Sequence, residues 1–203
     1  MVAELESFLK IHYSIQKIKD VPDSCSTHEF PVFYFDKISE NFSQKLKINK
    51  PPSCDCLYTC KHKNEVIFIE MRKYANTIKS NRIKCKNYDD FIKVMVGIIA
   101  KDEFDKKILY SYITLLSYLG HSSKDKLLGS LLYEPFKEQQ IGVRFIIHSD
   151  IDSMTYLKWF AIDKTLTKDL RNKIASYTFL KYQPMFVQPD DFAGTVQWLE
   201  KTD

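Results

Sequence analysis

Cys54-Asp55-Cys56-Leu57-Tyr58-Thr59-Cys60-Lys61 and, after a polar break, Val66-Ile67-Phe68-Ile69-Glu70-Met71-Arg72-Lys73 make up the stretch whose reading decides the fold. It reads as two adjacent strands, with His62-Lys63-Asn64-Glu65 as a polar hairpin connection of ordinary length. The first strand carries an aspartate near its start. The second ends in a carboxylate followed two positions later by a cation. Strand alternation places Glu70 and Arg72 on one face of the second strand and Ile69, Met71 and Lys73 on the other. Acidic and basic groups at strand ends can hold a divalent metal and organise a phosphate ester.

Working outward, residues 3–18 predict an amphipathic helix, with Leu5, Phe8, Leu9, Ile11 and Ile15 close together on the helical wheel. Residues 21–30 have loop chemistry, and 31–35 form a short aromatic run with strand character. Ile38, Phe42 and Leu46 repeat every four residues and predict a helix over 36–48, which Pro51-Pro52-Ser53 ends. Past the hairpin, residues 75–87 read as polar and irregular. Residues 88–119 are helical in pattern, with a charged interval at 101–107 that divides two helices. Residues 122–129 read as a polar segment, and a short apolar piece leads to Pro135. Residues 143–148 predict a buried strand, 154–160 and 170–179 further helices, and 192–199 a closing helix, with 182–187 ambiguous. The order implies an α/β fold over one domain, 1–203: a small mixed β-sheet flanked by helices, with a helical part at 1–50 and the core at 51–150.

The 203 residues carry a net charge of +4, which permits phosphate-bearing partners without demanding them. Five glycines argue against a dinucleotide fold with several glycine turns, and no Walker-type glycine motif is present. Glu4 and Glu6 interrupt the N-terminus, so no secretory signal is expected there. No run of apolar residues reaches membrane-spanning length. A cytoplasmic protein is the expectation, and five cysteines, an odd number, argue against a disulfide framework.

The Asp55 strand followed by the Glu70-Met71-Arg72 triplet on its hairpin partner resembles the core of the PD-(D/E)XK nuclease superfamily, whose members follow these strands with a helix, a strand and another helix. The resemblance implies a restriction-endonuclease-like core and hydrolysis of DNA or RNA phosphodiesters, in restriction or host defence. Carried over, Asp55 and Glu70 would ligate Mg²⁺ or Mn²⁺, and Glu40 on the 36–48 helix would complete the set, ahead of Glu4 or Glu6. The family lysine falls at Arg72, which binds phosphate bidentately but does not give up a proton. Lys73 follows, on the opposite face unless a bulge turns it. The family proline is displaced to Pro51 and Pro52, and Cys54 occupies its slot. Lys73, Lys79 and Arg82 are the expected nucleic-acid contacts. The substitution at position 72 motivates an alternative: a nuclease-fold protein without catalysis, acting as an immunity-type or subunit partner or as a nucleic-acid-binding module.

Other constellations carry less. Cys54, Cys56 and Cys60 share strand parity, but residues along one straight strand converge poorly for zinc, and they read as small buried hydrophobes. His148-Ser149-Asp150 reads as a strand end running into a turn, with a helix cap at Asp152 or Ser153, rather than as part of a nucleophile triad. Tyr156, Trp159, Phe160, Tyr177, Phe179 and Tyr182 form an aromatic-rich region suited to core packing, base stacking or a protein interface.

Overall fold

The computed structural model describes residues 1–121, 126–150, 168–187, 192–195, 197 and 201. Its centre is the strand that ends in the Glu70 triplet. Strand β4, Glu65–Arg72, is buried at every position but its last, as expected for a strand covered on both faces. It pairs antiparallel with β3, Cys56–Cys60, and parallel with β5, Gly142–Ser149. Strands β1, Ile15–Lys17, and β2, Pro31–Tyr34, extend the antiparallel side, and β6, Met185–Val187, extends the parallel side. Among the described residues the result is a six-stranded mixed sheet in the order β1-β2-β3-β4-β5-β6. With its flanking helices this is an α/β fold.

Alternation along β4 sorts its side chains into two cores. Val66 and Phe68 join Phe33, Leu57, Val143, Phe145 and Ile147 on one face. That face is covered by helices α1, Val2–Lys10, α2, Phe35–Leu46, α3, Ala75–Lys84, α4, Tyr88–Ala100, α5, Phe104–His121, and α6, Lys126–Lys137. Ile67, Ile69 and Met71 point the other way, under Ile18, Val21, Phe30 and Phe192. The parallel step from β4 to β5 is made by the four helices α3 to α6, because parallel neighbours need a long crossover.

The hairpin turn is tied into its surroundings. Asn64 takes a left-handed φ of 51°, its side-chain Oδ1 accepts from the Val2 N–H at 3.2 Å, and its Nδ2 donates to the Gln140 carbonyl at 2.9 Å. Glu65, expected in the polar connection, is instead the first residue of β4 and 1 % exposed. Arg144 and Lys181 neutralise it at 3.2 and 3.0 Å.

Several expectations are corrected. The first helix stops at Lys10 and Ile15–Lys17 is a strand. The segment after β4 is helix α3 over Ala75–Lys84, although only Ile78 of it is buried. Residues 126–137 form helix α6 with Pro135 inside it, two residues before its end. Helix is found over 168–173 rather than through 179, and β6 resolves the ambiguity at 182–187. Cys54 lies in the helix-side core while Cys56 and Cys60 lie in the other, so the three do not share a face. The helix expected at 154–160, with Tyr156, Trp159 and Phe160, and the cap expected at Asp152 or Ser153 lie outside the described residues. Among the described residues no helix is long and apolar enough to cross a membrane.

Candidate active site at the end of strand β4

Antiparallel register brings the two carboxylate residues together. Cys56 pairs with Ile69, so one step further along the hairpin Asp55 falls opposite Glu70. The Met71 N–H donates to Asp55 Oδ2 at 2.7 Å, fixing the aspartate against the strand. The start of α2 holds its backbone, with Phe35 N–H donating to the Asp55 carbonyl at 2.9 Å. Asp55 is partly exposed, whereas Glu70 is 0 % exposed.

Helix α5 closes the site from above. Phe104, Lys107 and Ser111 recur at a helical spacing of three and four, so one stripe of α5 faces the strand ends. Lys107 Nζ donates to Glu70 Oε1 at 2.6 Å. Ser111 Oγ accepts from the Cys54 N–H at 2.9 Å. The Phe104 ring lies 5.8 Å from the Arg72 guanidinium carbon. Arg72 reaches the same Glu70 oxygen at 2.6 Å, donates to the Met71 carbonyl at 3.1 Å and has Nε 3.4 Å from Asp102 Oδ1. That last approach is ionic only, because Nε makes no hydrogen bond. The Tyr74 hydroxyl donates to the other oxygen of Asp102. Asp102 stands at the break between α4 and α5, where Glu103 adopts a φ of 51°.

The electrostatics follow from this packing. Burial, reinforced by the Asp55 charge, pushes the Glu70 carboxyl up to about 7 even though Lys107 and Arg72 oppose the shift. Burial also raises Asp55, against the Met71 N–H, Lys107 and Arg72. Burial disfavours the Arg72 charge, but Glu70 and then Asp102 outweigh it and raise its pKa. Burial and the neighbouring Asp102 keep the Tyr74 phenol protonated. Three carboxylates, Asp55, Glu70 and Asp102, thus face two cations, Arg72 and Lys107.

Two atoms in this network are unsatisfied, Arg72 Nε and one carboxylate oxygen. Glu70 Oε2 is buried and has no hydrogen-bond partner. An unpaired buried carboxylate oxygen costs upwards of about 1–3 kcal/mol, and a cation beside Asp55 would relieve it. The donor set suits a hard ion: magnesium commonly takes one or two carboxylates and keeps several waters. Among the described residues no group of three or more His, Cys, Asp or Glu side chains could hold a metal ion, and Asp55 and Glu70 are two.

The remaining residues expected in the site are placed as follows. Glu40 pairs with Lys37 at 2.7 Å on α2. The α2 carboxylate whose charge acts on Asp55 is Asp36, itself bound to Lys50 and Ser53. Lys73, Lys79 and Arg82 are exposed, Lys73 just past β4 and the other two on α3. Asp150 is a cap, but for α3: its Oδ1 accepts from the Tyr74 and Ala75 N–H groups at 2.6 and 2.9 Å. His148 is on the opposite face of the sheet, against Phe192. Lys107 and Asp102 escaped the sequence reading. The available signal for Lys107 was a cation three residues after Phe104 and four before Ser111, inside the apolar stripe of a helix.

No family of known proteins, no characterised protein and no solved structure matches the chain.

Proposed function

We propose that this protein is a divalent-metal-dependent hydrolase of nucleic-acid phosphodiesters, acting in the cytoplasm in restriction or host defence. The observation that carries the reading is the wholly buried Glu70, whose Oε2 has no hydrogen-bond partner beside Asp55. The resemblance of Asp55 and Glu70-Met71-Arg72 to the PD-(D/E)XK pattern and the α/β sheet carrying them support it, and the five free cysteines are compatible with a reducing compartment. Asp55 and Glu70 would hold Mg²⁺ or Mn²⁺. Magnesium, when bound, stabilises charge on phosphate oxygens and lowers the pKa of an attacking water.

The chain's own groups have separable roles. Lys107 occupies Glu70 Oε1 and leaves Oε2 as the open oxygen. Arg72, half-buried at the mouth, binds the scissile phosphate through its fork of donors. It does not serve as a base, and Lys107, delivered from α5, is the ammonium of the site. Asp102 and Phe104 hold the guanidinium in place.

The test is incubation of pure protein with DNA and RNA in Mg²⁺ or Mn²⁺, beside Asp55→Ala and Glu70→Ala. Cleavage that both substitutions abolish is expected; cleavage indifferent to both refutes the assignment.

A second reading has its own observation. Lys107 and Arg72 both lie 2.6 Å from Glu70 Oε1, so the buried charge is already neutralised without a metal. In that reading the protein is a nuclease-fold binding module for a protein or nucleic-acid partner. No Mn²⁺ uptake and no cleavage from a correctly folded protein would favour it.

A further inference from the structure

Helix α3 is built unlike the others. Seven of its ten residues are exposed, and Ile78 is its one buried side chain. A ten-residue helix with so little packing is marginal unless held from outside, and here Asp150 holds its first turn. From Lys73 to Lys86 the chain carries five cations, Lys73, Lys79, Arg82, Lys84 and Lys86, and no carboxylate. All five are exposed, and none pairs with a carboxylate among the described residues. Some exposed lysines elsewhere are paired, such as Lys17 and Lys19 with Glu29, Lys37 with Glu40 and Lys137 with Glu134, while among the described residues Lys47, Lys93 and Lys101 stand singly, each on a different element or turn. Five exposed cations with no carboxylate among them, three on α3 and one flanking each end, make a surface for an external polyanion.

We propose that α3 docks in the major groove of duplex DNA and delivers the phosphate backbone to the β4 end; this rests on the nucleic-acid reading above. The run begins one residue after Arg72, so α3 leads directly away from the strand end that carries Glu70. At 1.5 Å per residue α3 is about 15 Å long, and the B-form major groove, about 12 Å wide, admits a helix. The deep, narrow major groove of A-form RNA does not. Polar Asn76 and Ser80 and the 81 % exposed Ile83 complete a helix that presents side chains rather than burying them.

The experiment measures binding by fluorescence anisotropy, with Ca²⁺ in place of Mg²⁺, for one sequence as duplex DNA, single-stranded DNA and duplex RNA. Salt is varied from about 50 to 300 mM. Wild type is expected to prefer duplex DNA. The variant Lys79→Gln/Arg82→Gln/Lys84→Gln, its fold checked by circular dichroism, should lose on the order of 10²-fold in affinity and about 2.7 from the log–log salt slope, at about 0.9 per phosphate contact. A charge-matched control, Lys17→Gln/Lys37→Gln/Lys137→Gln, should bind as wild type. Equal binding of the α3 variant, or duplex RNA or single strands bound as tightly as duplex DNA, overturns the proposal. The hydrolase reading fails separately: duplex DNA bound through α3 but never cut in Mg²⁺ or Mn²⁺ refutes hydrolysis and leaves the docking intact. Cleavage that needs Asp55 and Glu70 but ignores the α3 substitutions does the reverse.

Discussion

Replacing Glu70 by Gln should make the protein more stable at alkaline pH, because the ionised carboxylate is held at a cost to the fold. Glu70 titrates at about 7 in the folded protein against an ordinary 4.5. A carboxyl whose folded pKa is raised binds its proton more tightly in the native state. Its contribution is therefore fully favourable below 4.5 and is lost as pH rises through 7. The loss is the 2.5-unit difference between those values at 1.36 kcal/mol per unit, or about 3 kcal/mol. Gln has the shape of the neutral acid and does not titrate, so Glu70→Gln escapes the penalty. For 203 residues this is a rise in Tm of about 6–12 °C near pH 8, shrinking to nothing by pH 4.5. Thermal and urea unfolding of both proteins across this range measures it. A Glu70→Gln protein that is less stable than wild type at pH 8 would refute the reasoning. It would mean that the ionised carboxylate anchors Lys107 and Arg72 and that the group belongs to the scaffold.

Mg²⁺ should raise the Tm of wild type at pH 8 and leave Glu70→Gln little changed, since a ligand at about 100 times its Kd adds about 2.7 kcal/mol; differential scanning fluorimetry reads this. His148 titrates at about 4 against 6.5 because burial disfavours its charge. It therefore contributes stability above 6.5 that is lost as pH falls toward 4, and His148→Leu should flatten the acid limb of the urea-midpoint profile. Asp150→Ala removes the acceptor of two N–H groups at the start of α3 and should cost about 1–2 kcal/mol locally. Faster hydrogen exchange confined to residues 74–78 would register it. Phe136→Ala, at 0 % exposure under the helix face, should cost about 3–5 kcal/mol by chemical denaturation.

The hairpin was legible because its signals are local. Alternation along residues 66–73 sets which face each side chain takes, and a short polar connection makes the two strands neighbours. Helix α3 was not legible, since an almost uniformly polar segment has no apolar stripe to give away its period. Helix α6 was hidden by Gly129 and Pro135, which read as breakers but sit in a helix packed through Leu132 and Phe136. In α6, tertiary contacts override a weak local preference.

The candidate site divides in the same way. By itself the sequence determined that Asp55, Glu70 and Arg72 lie at strand ends and that Glu70 and Arg72 share a face, because pleating depends only on position along the chain. Only the tertiary structure decided that α5 crosses those ends, bringing Lys107 and Asp102 to Glu70 and Arg72 from 37 and 30 residues away in the chain. It also decided that Glu70 is wholly buried with one oxygen left open. Burial and ion pairing arise from which elements pack together, and a four-helix crossover between β4 and β5 leaves no periodic trace of where its third residue stripe will land.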